Sequence, residues 1–217
     1  MILILGAVRT GSTYLYQLVC NLWKVNYFAN DGQIRNTDET PIPYVSAYGK
    51  TKEPHEPSEA SYIFTKWFGS GREVKPEYRQ EMIDTLTIHR PMVIKNIWNV
   101  YRVKEWLSYF PDTQFIWIRR NVEDAAKSDL KARAVTGNGL NCAFRNFSSV
   151  DLSDYPDRIQ VTRQQIEINK TIGESLKGEN YIQIHYEELC KTPSLEIVRL
   201  KDFLRAEWRG RDLSIGV

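Results

Sequence analysis

The amino-acid sequence predicts one α/β domain with three layers, in which helices cover both faces of a mostly parallel central sheet. Short apolar runs alternate with longer segments of helical periodicity along the chain, a pattern that is typical of parallel sheets with helical crossovers. The 217 residues, 42% of them hydrophobic and 26% charged, are enough for a single large domain with a sizeable core. We therefore assign residues 1–217 to one domain.

The first half of the chain contains three predicted strands and three predicted helices. Apolar runs place the strands at residues 1–5, 24–29 and 91–95, and helical periodicity places the helices at residues 12–23, 58–68 and 76–89. Pro76 supports the last of these helices, because proline is favoured in the first helical turn. The remaining residues, 30–58, are polar and rich in proline, so we expect a loop there.

The second half continues the alternation, with strands at residues 113–119 and 180–186, helices at 99–110, 122–135, 157–178 and 193–204, and a loop at 137–156. Acidic residues open the helix at 122–135, as the helix dipole favours, and Gly178 ends the next one. Ligands of parallel sheets bind at the carboxyl ends of the strands. The informative residues are therefore the loop after the first strand, Lys95 and the Arg119–Arg120 pair.

The composition excludes several classes of protein. The 29 Lys and Arg residues nearly balance 27 Asp and Glu residues, which argues against a nucleic-acid-binding protein, since such proteins usually carry a basic excess. Cys20, Cys142 and Cys190 are odd in number and far apart, so we predict reduced thiols in a cytoplasmic setting rather than a disulfide framework or a zinc site. No apolar stretch approaches the roughly 20 residues of a membrane span, so none is expected.

A glycine-containing turn, "GAVRTGST" at residues 6–13, follows the first strand. Its spacing is close to that of the Walker A phosphate loop, G-x-x-x-x-G-K-[ST]. Ser12 stands where the lysine should be, and the nearest cation is Arg9. Backbone N–H groups at a helix N-terminus bind anions, and Thr10, Ser12 and Thr13 add hydroxyl donors. The alternative is an ordinary strand-to-helix turn, and the missing lysine weakens an ATPase or kinase interpretation.

A second motif, "IRRNVEDAAKS", follows the strand at 113–119, and it places Arg120 eight positions before Ser128. The segments "GAVRTGSTYL" and "FIWIRRNVEDAAKSDLKAR" together resemble the sulfotransferases that use 3′-phosphoadenosine 5′-phosphosulfate (PAPS), a family with a P-loop-like fold. The resemblance implies that residues 9–13, Arg9-Thr10-Gly11-Ser12-Thr13, wrap the 5′-phosphosulfate. It also implies that Arg120 and Ser128 hold the 3′-phosphate, for which arginine offers a planar fork.

Two further segments support the same resemblance, and the four segments together cover somewhat over half of the chain. The segment "YIQIHYEELCKTPSLEIVRLKDFL" implies that Tyr186 lies beside the adenine, and Tyr14 matches a position that stacks on it. The segment "PMVIKNIWNVYRVKEWLSYFPDTQFIWIRR" places Lys95 at a strand end. Arg9 and Lys95 would then neutralise the charge that develops during in-line sulfuryl transfer, and no metal is expected.

The catalytic base is where the sequence departs from the family pattern. Ile97 occupies the position of a histidine in the cytosolic small-molecule branch, so the base must come from elsewhere. Other branches use a carboxylate in the segment after the first helix, and Asp31 is our choice there. Four residues of the following loop stay open as alternatives: Asp38, Glu39, His55 and Glu56.

The acceptor is not defined by the sequence. The resemblance implies a small-molecule, carbohydrate, lipid or peptide acceptor, with a pocket shaped by residues 30–75 and 137–156. The C-terminal element that caps the 3′-phosphate in the cytosolic branch has no clear counterpart, although Arg209 and Arg211 lie near the end. Two other functions remain open: a divergent P-loop nucleotide or small-molecule kinase, and a non-catalytic nucleotide-binding interaction module.

Overall fold

The computed structural model describes residues 1–39, 54–136 and 156–209. Its strands are β1 (Ile2–Leu5), β2 (Asn26–Phe28), β3 (Ile34–Asn36), β4 (Val93–Lys95), β5 (Gln114–Arg119) and β6 (Tyr181–His185). Its helices are α1 (Ser12–Leu22), α2 (Ser61–Phe68), α3 (Arg79–Ile88), α4 (Val103–Tyr109), α5 (Val122–Thr136), α6 (Asp157–Ser175), α7 (Tyr186–Lys191) and α8 (Pro193–Phe203).

Four strands form a parallel sheet in the order β4-β1-β5-β6. Strand β1 lies between two partners, with Ile2 opposite both Val93 and Gln114. Strand β6 extends the sheet on the other side of β5. Because all four strands run the same way, their carboxyl ends lie along one edge, and that edge carries Lys95, Arg120 and the turn at residues 6–13, which we call the phosphate loop.

The residues of β1 alternate between two apolar cores, which explains why the whole strand is hydrophobic. Leu3 and Leu5 face a core that includes side chains from α2, α3, α4 and α6. Ile2 and Ile4 face a second core, built with α1, α7 and α8. Helices therefore cover both faces of a parallel sheet, and the predicted α/β fold class is confirmed.

One element of the first half differs from the sequence prediction. The strand expected at 24–29 is shorter and forms an antiparallel hairpin with β3, which lies within the expected loop at 30–58. Asn26 adds one parallel bridge to Met92, beside β4. The tight turn between the two strands contains Gly32 at φ +82°, and Asn-Asp-Gly is a turn signal that predicts a hairpin.

Several helix boundaries also differ: α3 begins at Arg79 after a 3₁₀ turn at Pro76–Tyr78, and α6 ends at Ser175 rather than at residue 178. The helix expected at 99–110 is divided into a 3₁₀ turn, Ile97–Tyr101, and α4, and Asn96 caps that turn by accepting a hydrogen bond from the Trp98 N–H at 3.0 Å. Helix α2 begins at Ser61 rather than at residue 58. Tyr186 opens helix α7 rather than ending a strand.

Two further observations concern the predictions about membranes and loops. Among the residues that the structure describes, no helix has the length and hydrophobicity to cross a membrane. Most of the expected loop at 137–156, together with residues 40–53 and Arg211, lies outside the described residues. The assignment of a single domain stays a prediction.

Candidate active site

The phosphate loop is held in an unusual backbone conformation between β1 and α1. Arg9 has φ +64° and Gly11 has φ +87°, so both residues lie in the left-handed region. The Thr10 hydroxyl donates to the Ala7 carbonyl at 2.7 Å, and the Gln165 amide of α6 donates to the Val8 carbonyl at 2.7 Å. The first bond lies within the loop and the second comes from α6. Together they hold the loop in place, and this compensates for the strain of a non-glycine residue at positive φ.

The N-terminus of α1 receives no side-chain cap. The first N–H groups of an α-helix have no partner within the helix and carry the positive end of its dipole. Ser12 and Thr13 are the first two residues of this helix, and Ser12 is buried. The helix start therefore presents backbone and hydroxyl donors of the kind that binds a phosphate-like group.

Arg9, Ser128, Arg120 and Tyr186 come from distant parts of the sequence and meet beside this loop. The Arg9 Nε donates to the Ser128 hydroxyl at 3.4 Å, and the Arg120 Nη1 donates to the Arg9 carbonyl at 3.1 Å. The Arg120 guanidinium also lies 4.6 Å from the centre of the Tyr186 ring, a cation–π contact. We call these four residues the donor cluster.

Tyr186 packs directly against the backbone of Gly11. A Cβ atom added to Gly11 would lie 2.2 Å from Cδ2 of Tyr186, which no real side chain tolerates. Tyr14 is half-buried on α1 and packs, like Tyr186, at the margin of the core formed with α8. The structure thus brings the predicted donor residues together at one edge of the sheet, and their roles in binding stay predictions.

Lys95 lies on the opposite side of the loop at the end of β4, and its side chain is only 5% exposed. Its ammonium donates to the Thr13 hydroxyl at 3.3 Å and forms an ion pair with the Glu59 carboxylate. Removing a charge from water is costly unless an opposite charge compensates it. Glu59 provides that charge, and its own side chain is 32% exposed.

The backbone around Glu59 is fixed by its neighbours. The Asn96 side-chain amide donates to the Glu59 carbonyl at 3.0 Å, so the residue after Lys95 holds the partner of Lys95. The next residue, Ala60, is buried and has φ +47°. A non-glycine residue in the left-handed region persists only where its surroundings enforce it, and this turn presents the Glu59 carboxylate to Lys95.

Glu59 is not among the site residues predicted from the sequence, because it falls within the helix expected at residues 58–68. A buried lysine at a strand end needs a carboxylate partner. That requirement is the sequence feature that predicts a carboxylate near Lys95. The partner's identity depends on a turn that ends before α2, which sequence periodicity did not resolve.

Asp31, the predicted base, lies in the turn between β2 and β3. Its carboxylate accepts hydrogen bonds from Arg35 at 2.5 Å and from the Gln33 N–H at 3.1 Å. The hydrogen bond from Arg35, followed by that from the Gln33 backbone, lowers the pKa of Asp31 below its ordinary value. This ion pair holds the Asp31 carboxylate within the hairpin turn.

The four alternative bases lie in different surroundings. Asp38 pairs with Arg209 at 3.5 Å, Glu39 is exposed, and the His55 carbonyl accepts a hydrogen bond from the Tyr27 hydroxyl at 2.8 Å. The Glu56 side chain is buried, and its Oε1 has no hydrogen-bond partner in the described part of the chain. Of the carboxylates described, Glu59 is the one that forms an ion pair with Lys95.

Comparison with known proteins agrees with this geometry. The model of the Sulfotransferase family matches residues 2–210. Two solved structures share the fold: the sulfotransferase STF9 from Mycobacterium avium (14% identity, TM-score 0.56) and a sulfotransferase from Alicyclobacillus acidocaldarius (14% identity, TM-score 0.51). The alignments cover 93% of this chain in both cases, and 62% and 79% of those chains. A search of curated protein sequences gave no match. The resemblance inferred from the sequence motifs is confirmed, and this chain belongs to the sulfotransferase family.

Proposed function

We propose that this protein transfers a sulfuryl group from PAPS to a hydroxyl or amine of an acceptor molecule. Membership of the family supports sulfotransfer in general. The observation that supports this donor is the donor cluster, which places Arg120 and Ser128 against Arg9 of the phosphate loop. A donor with phosphates at both its 3′ and 5′ positions needs two anion sites close together, and the loop and the cluster provide two.

The donor would lie across the carboxyl edge of the sheet. The start of α1 and the hydroxyls of Ser12 and Thr13 would bind the 5′-phosphosulfate. Among the residues that the structure describes, Arg120 forms no ion pair with a carboxylate, and its contacts are the Arg9 carbonyl and the Tyr186 ring. Its guanidinium is therefore available for the 3′-phosphate, with Ser128 beside it and Tyr186 next to the adenine.

The acceptor would be activated by Glu59 rather than by Asp31. Glu59 is fixed beside Lys95, which reaches Thr13 of the phosphate loop, whereas Asp31 is paired with Arg35 at the hairpin turn. As the acceptor oxygen forms its bond to sulfur, its proton passes to the Glu59 carboxylate. The bond between sulfur and the bridging oxygen of the 5′-phosphate breaks, and Lys95 and Arg9 neutralise the charge left on that oxygen.

Calorimetric titration with adenosine 3′,5′-bisphosphate, the product left after transfer, tests the donor site in metal-free buffer. We expect tight binding of the bisphosphate and at least tenfold weaker binding of adenosine 5′-monophosphate, since charge-assisted hydrogen bonds to a phosphate contribute about 1.5–3 kcal/mol. The Arg120→Ala variant should lose about 10- to 100-fold in affinity for the bisphosphate and little for the monophosphate.

ATP with magnesium provides the contrasting titration. If the protein prefers ATP with magnesium to the bisphosphate, the kinase alternative replaces the sulfotransferase proposal. If the bisphosphate binds but the protein transfers no sulfuryl group from PAPS to any acceptor of a broad panel, the non-catalytic alternative replaces the sulfotransferase proposal. An Arg120→Ala variant with unchanged affinity would remove the assignment of the 3′-phosphate site.

A further inference from the structure

A cavity of about 230 Å³ lies where α2 approaches the segment that follows β4. Its lining includes Phe64 and Ser61 of α2, Asn96, Trp98 and Arg102. Asn96 connects the cavity to the reacting centre, because its amide donates to the Glu59 carbonyl and it follows Lys95 directly. Ser61, which also lines the cavity, lies two residues after Glu59, so a molecule in this cavity would lie beside the turn that carries the proposed base.

Arg102 is unusual among the residues that line the cavity, because it is charged and only 2% exposed. Its Nε and Nη2 both donate to the Gly71 carbonyl, at 3.2 and 3.0 Å. Its Nη1 has no hydrogen-bond partner in the part of the chain that the structure describes. The guanidinium stacks 4.1 Å from the centre of the Phe68 ring, so aromatic contacts surround much of the remaining charge.

This arrangement leaves a buried positive charge without a negative partner among the described residues. Burial lowers the pKa of Arg102 to about 10, and the group is therefore still charged at neutral pH. Buried charges in proteins are normally paired, since an unpaired one costs several kcal/mol. Lys95, another buried cation of this region, is paired with Glu59, whereas the contacts of Arg102 with described residues are to a neutral carbonyl and to aromatic rings.

We infer that the missing negative partner is part of the acceptor, and that the acceptor is a small hydroxylated carboxylic acid. This inference rests on the proposed function. The cavity is smaller than the roughly 300–1,000 Å³ of most drug-sized ligand sites, so a small molecule fits it better than a large glycan or a lipid. The carboxylate would bind Arg102, the apolar body would lie against Phe64 and Trp98, and the hydroxyl would reach Glu59.

The test uses pairs of acceptors that differ only in charge. 4-Hydroxyphenylacetate is compared with its amide, and 4-hydroxybutanoate with its amide, both by calorimetry on the bisphosphate-loaded protein and as acceptors with PAPS. We expect the acids to bind and to have KM values at least tenfold lower than those of the amides, because the amides lose the charge-assisted hydrogen bond. Equal or better performance of the amides overturns the inference, as does the absence of acid binding at millimolar concentration.

Variants of Arg102 provide the second arm. Arg102→Gln should bring the KM ratio of amide to acid close to one, and Arg102→Lys should restore part of it. Arg90→Gln is the matched control, because Arg90 pairs with Asp112 at the other end of β4, and it should leave the ratio unchanged. Were the Arg102 variants to unfold, the acid and amide pairs would still decide the question with the parent protein.

These measurements separate the inference from the proposed function. If the bisphosphate does not bind the parent protein, the donor assignment fails before any acceptor is examined. If the bisphosphate binds, and the acids have no advantage over the amides, the donor assignment stands and the carboxylate acceptor is excluded.

Discussion

At the residue scale, the proposed choice of base rests on the buried ammonium of Lys95. Glu59 pairs with it, and the same ammonium donates to the Thr13 hydroxyl of the phosphate loop. A carboxylate that is held by lysine before the donor binds is also held in place for the acceptor. Asp31 has a comparable ion pair with Arg35, but that pair stabilises a turn rather than a site.

The two carboxylates can be distinguished by isosteric substitution. Glu59→Gln should lower kcat by about 100-fold or more, since a general base contributes about 10²–10⁴-fold, and should leave the affinity for adenosine 3′,5′-bisphosphate within about threefold. Asp31→Asn is the matched control, with kcat expected within about twofold. The reverse pattern of kcat values would restore Asp31 as the base. Thermal melts of both variants separate lost chemistry from lost folding.

Gly11 is required for two separable reasons, its positive φ and its contact with Tyr186. Gly11→Ala should lower the free energy of unfolding by about 2–5 kcal/mol, because a left-handed alanine costs about 1–2 kcal/mol and the clash adds about 1–3 kcal/mol. Gly178 also has φ +87° but has nothing within 4 Å of an added Cβ, so Gly178→Ala measures the backbone cost alone.

The free energy of unfolding of the double variant Gly11→Ala/Tyr186→Ala, measured by urea denaturation, is compared with those of the two single variants. Removing the ring should relieve the clash, so the two changes should couple by about 1 kcal/mol or more. Strictly additive free energies would mean that the Tyr186 ring does not press on Gly11.

At the element scale, helix α6 supports the phosphate loop from outside. Gln165 reaches from α6 to the Val8 carbonyl, immediately before the strained Arg9. Buried Gln160, Gln164 and Asn169 continue this polar side of the helix. A helix with a polar buried side is unusual in a hydrophobic core, and contact with a backbone loop is a physical reason for it.

Gln165→Leu should therefore weaken donor binding without removing any residue of the donor cluster. The Val8 carbonyl loses its partner, at a cost of about 1–3 kcal/mol, and the loop becomes free to leave the left-handed conformation at Arg9. We expect the calorimetric dissociation constant for adenosine 3′,5′-bisphosphate to rise at least fivefold. Gln164→Leu, which changes an equally buried neighbour of the same type, should leave it unchanged; an equal effect of both variants would contradict the role of the Val8 contact.

The elements also differ in how well sequence patterns predicted them. Strands β1 and β5 are continuous apolar runs, as expected for strands buried on both faces, and both were predicted within a residue or two. Strand β3 is "IRN", half-buried and short, so neither its hydrophobicity nor its length distinguished it from a loop. The turn before Ser61 was missed for a similar reason, since its geometry comes from Asn96, which is distant in sequence.

At the scale of the whole molecule, the parallel sheet explains why a site made of distant residues was predictable at all. Once residues 2–5, 93–95 and 114–119 are recognised as parallel strands, the residues that follow them must meet at one edge. Arg9, Lys95 and Arg120 were found in that way. Glu59 and Arg102 follow no strand directly, and they reach the site through a turn and a 3₁₀ segment whose conformations depend on the folded environment.

Because the donor cluster joins β1, β5, α5 and α7, donor binding should stabilise the whole fold rather than one loop. Adenosine 3′,5′-bisphosphate at 100 times its dissociation constant should contribute about 2.7 kcal/mol, which corresponds to a rise in Tm of about 5–10 °C for a domain of this size. Arg120→Ala at the same ligand concentration should show a much smaller rise, and so should the parent protein with adenosine 5′-monophosphate. A bisphosphate that binds by calorimetry yet leaves Tm unchanged would place its site away from the junction of these elements.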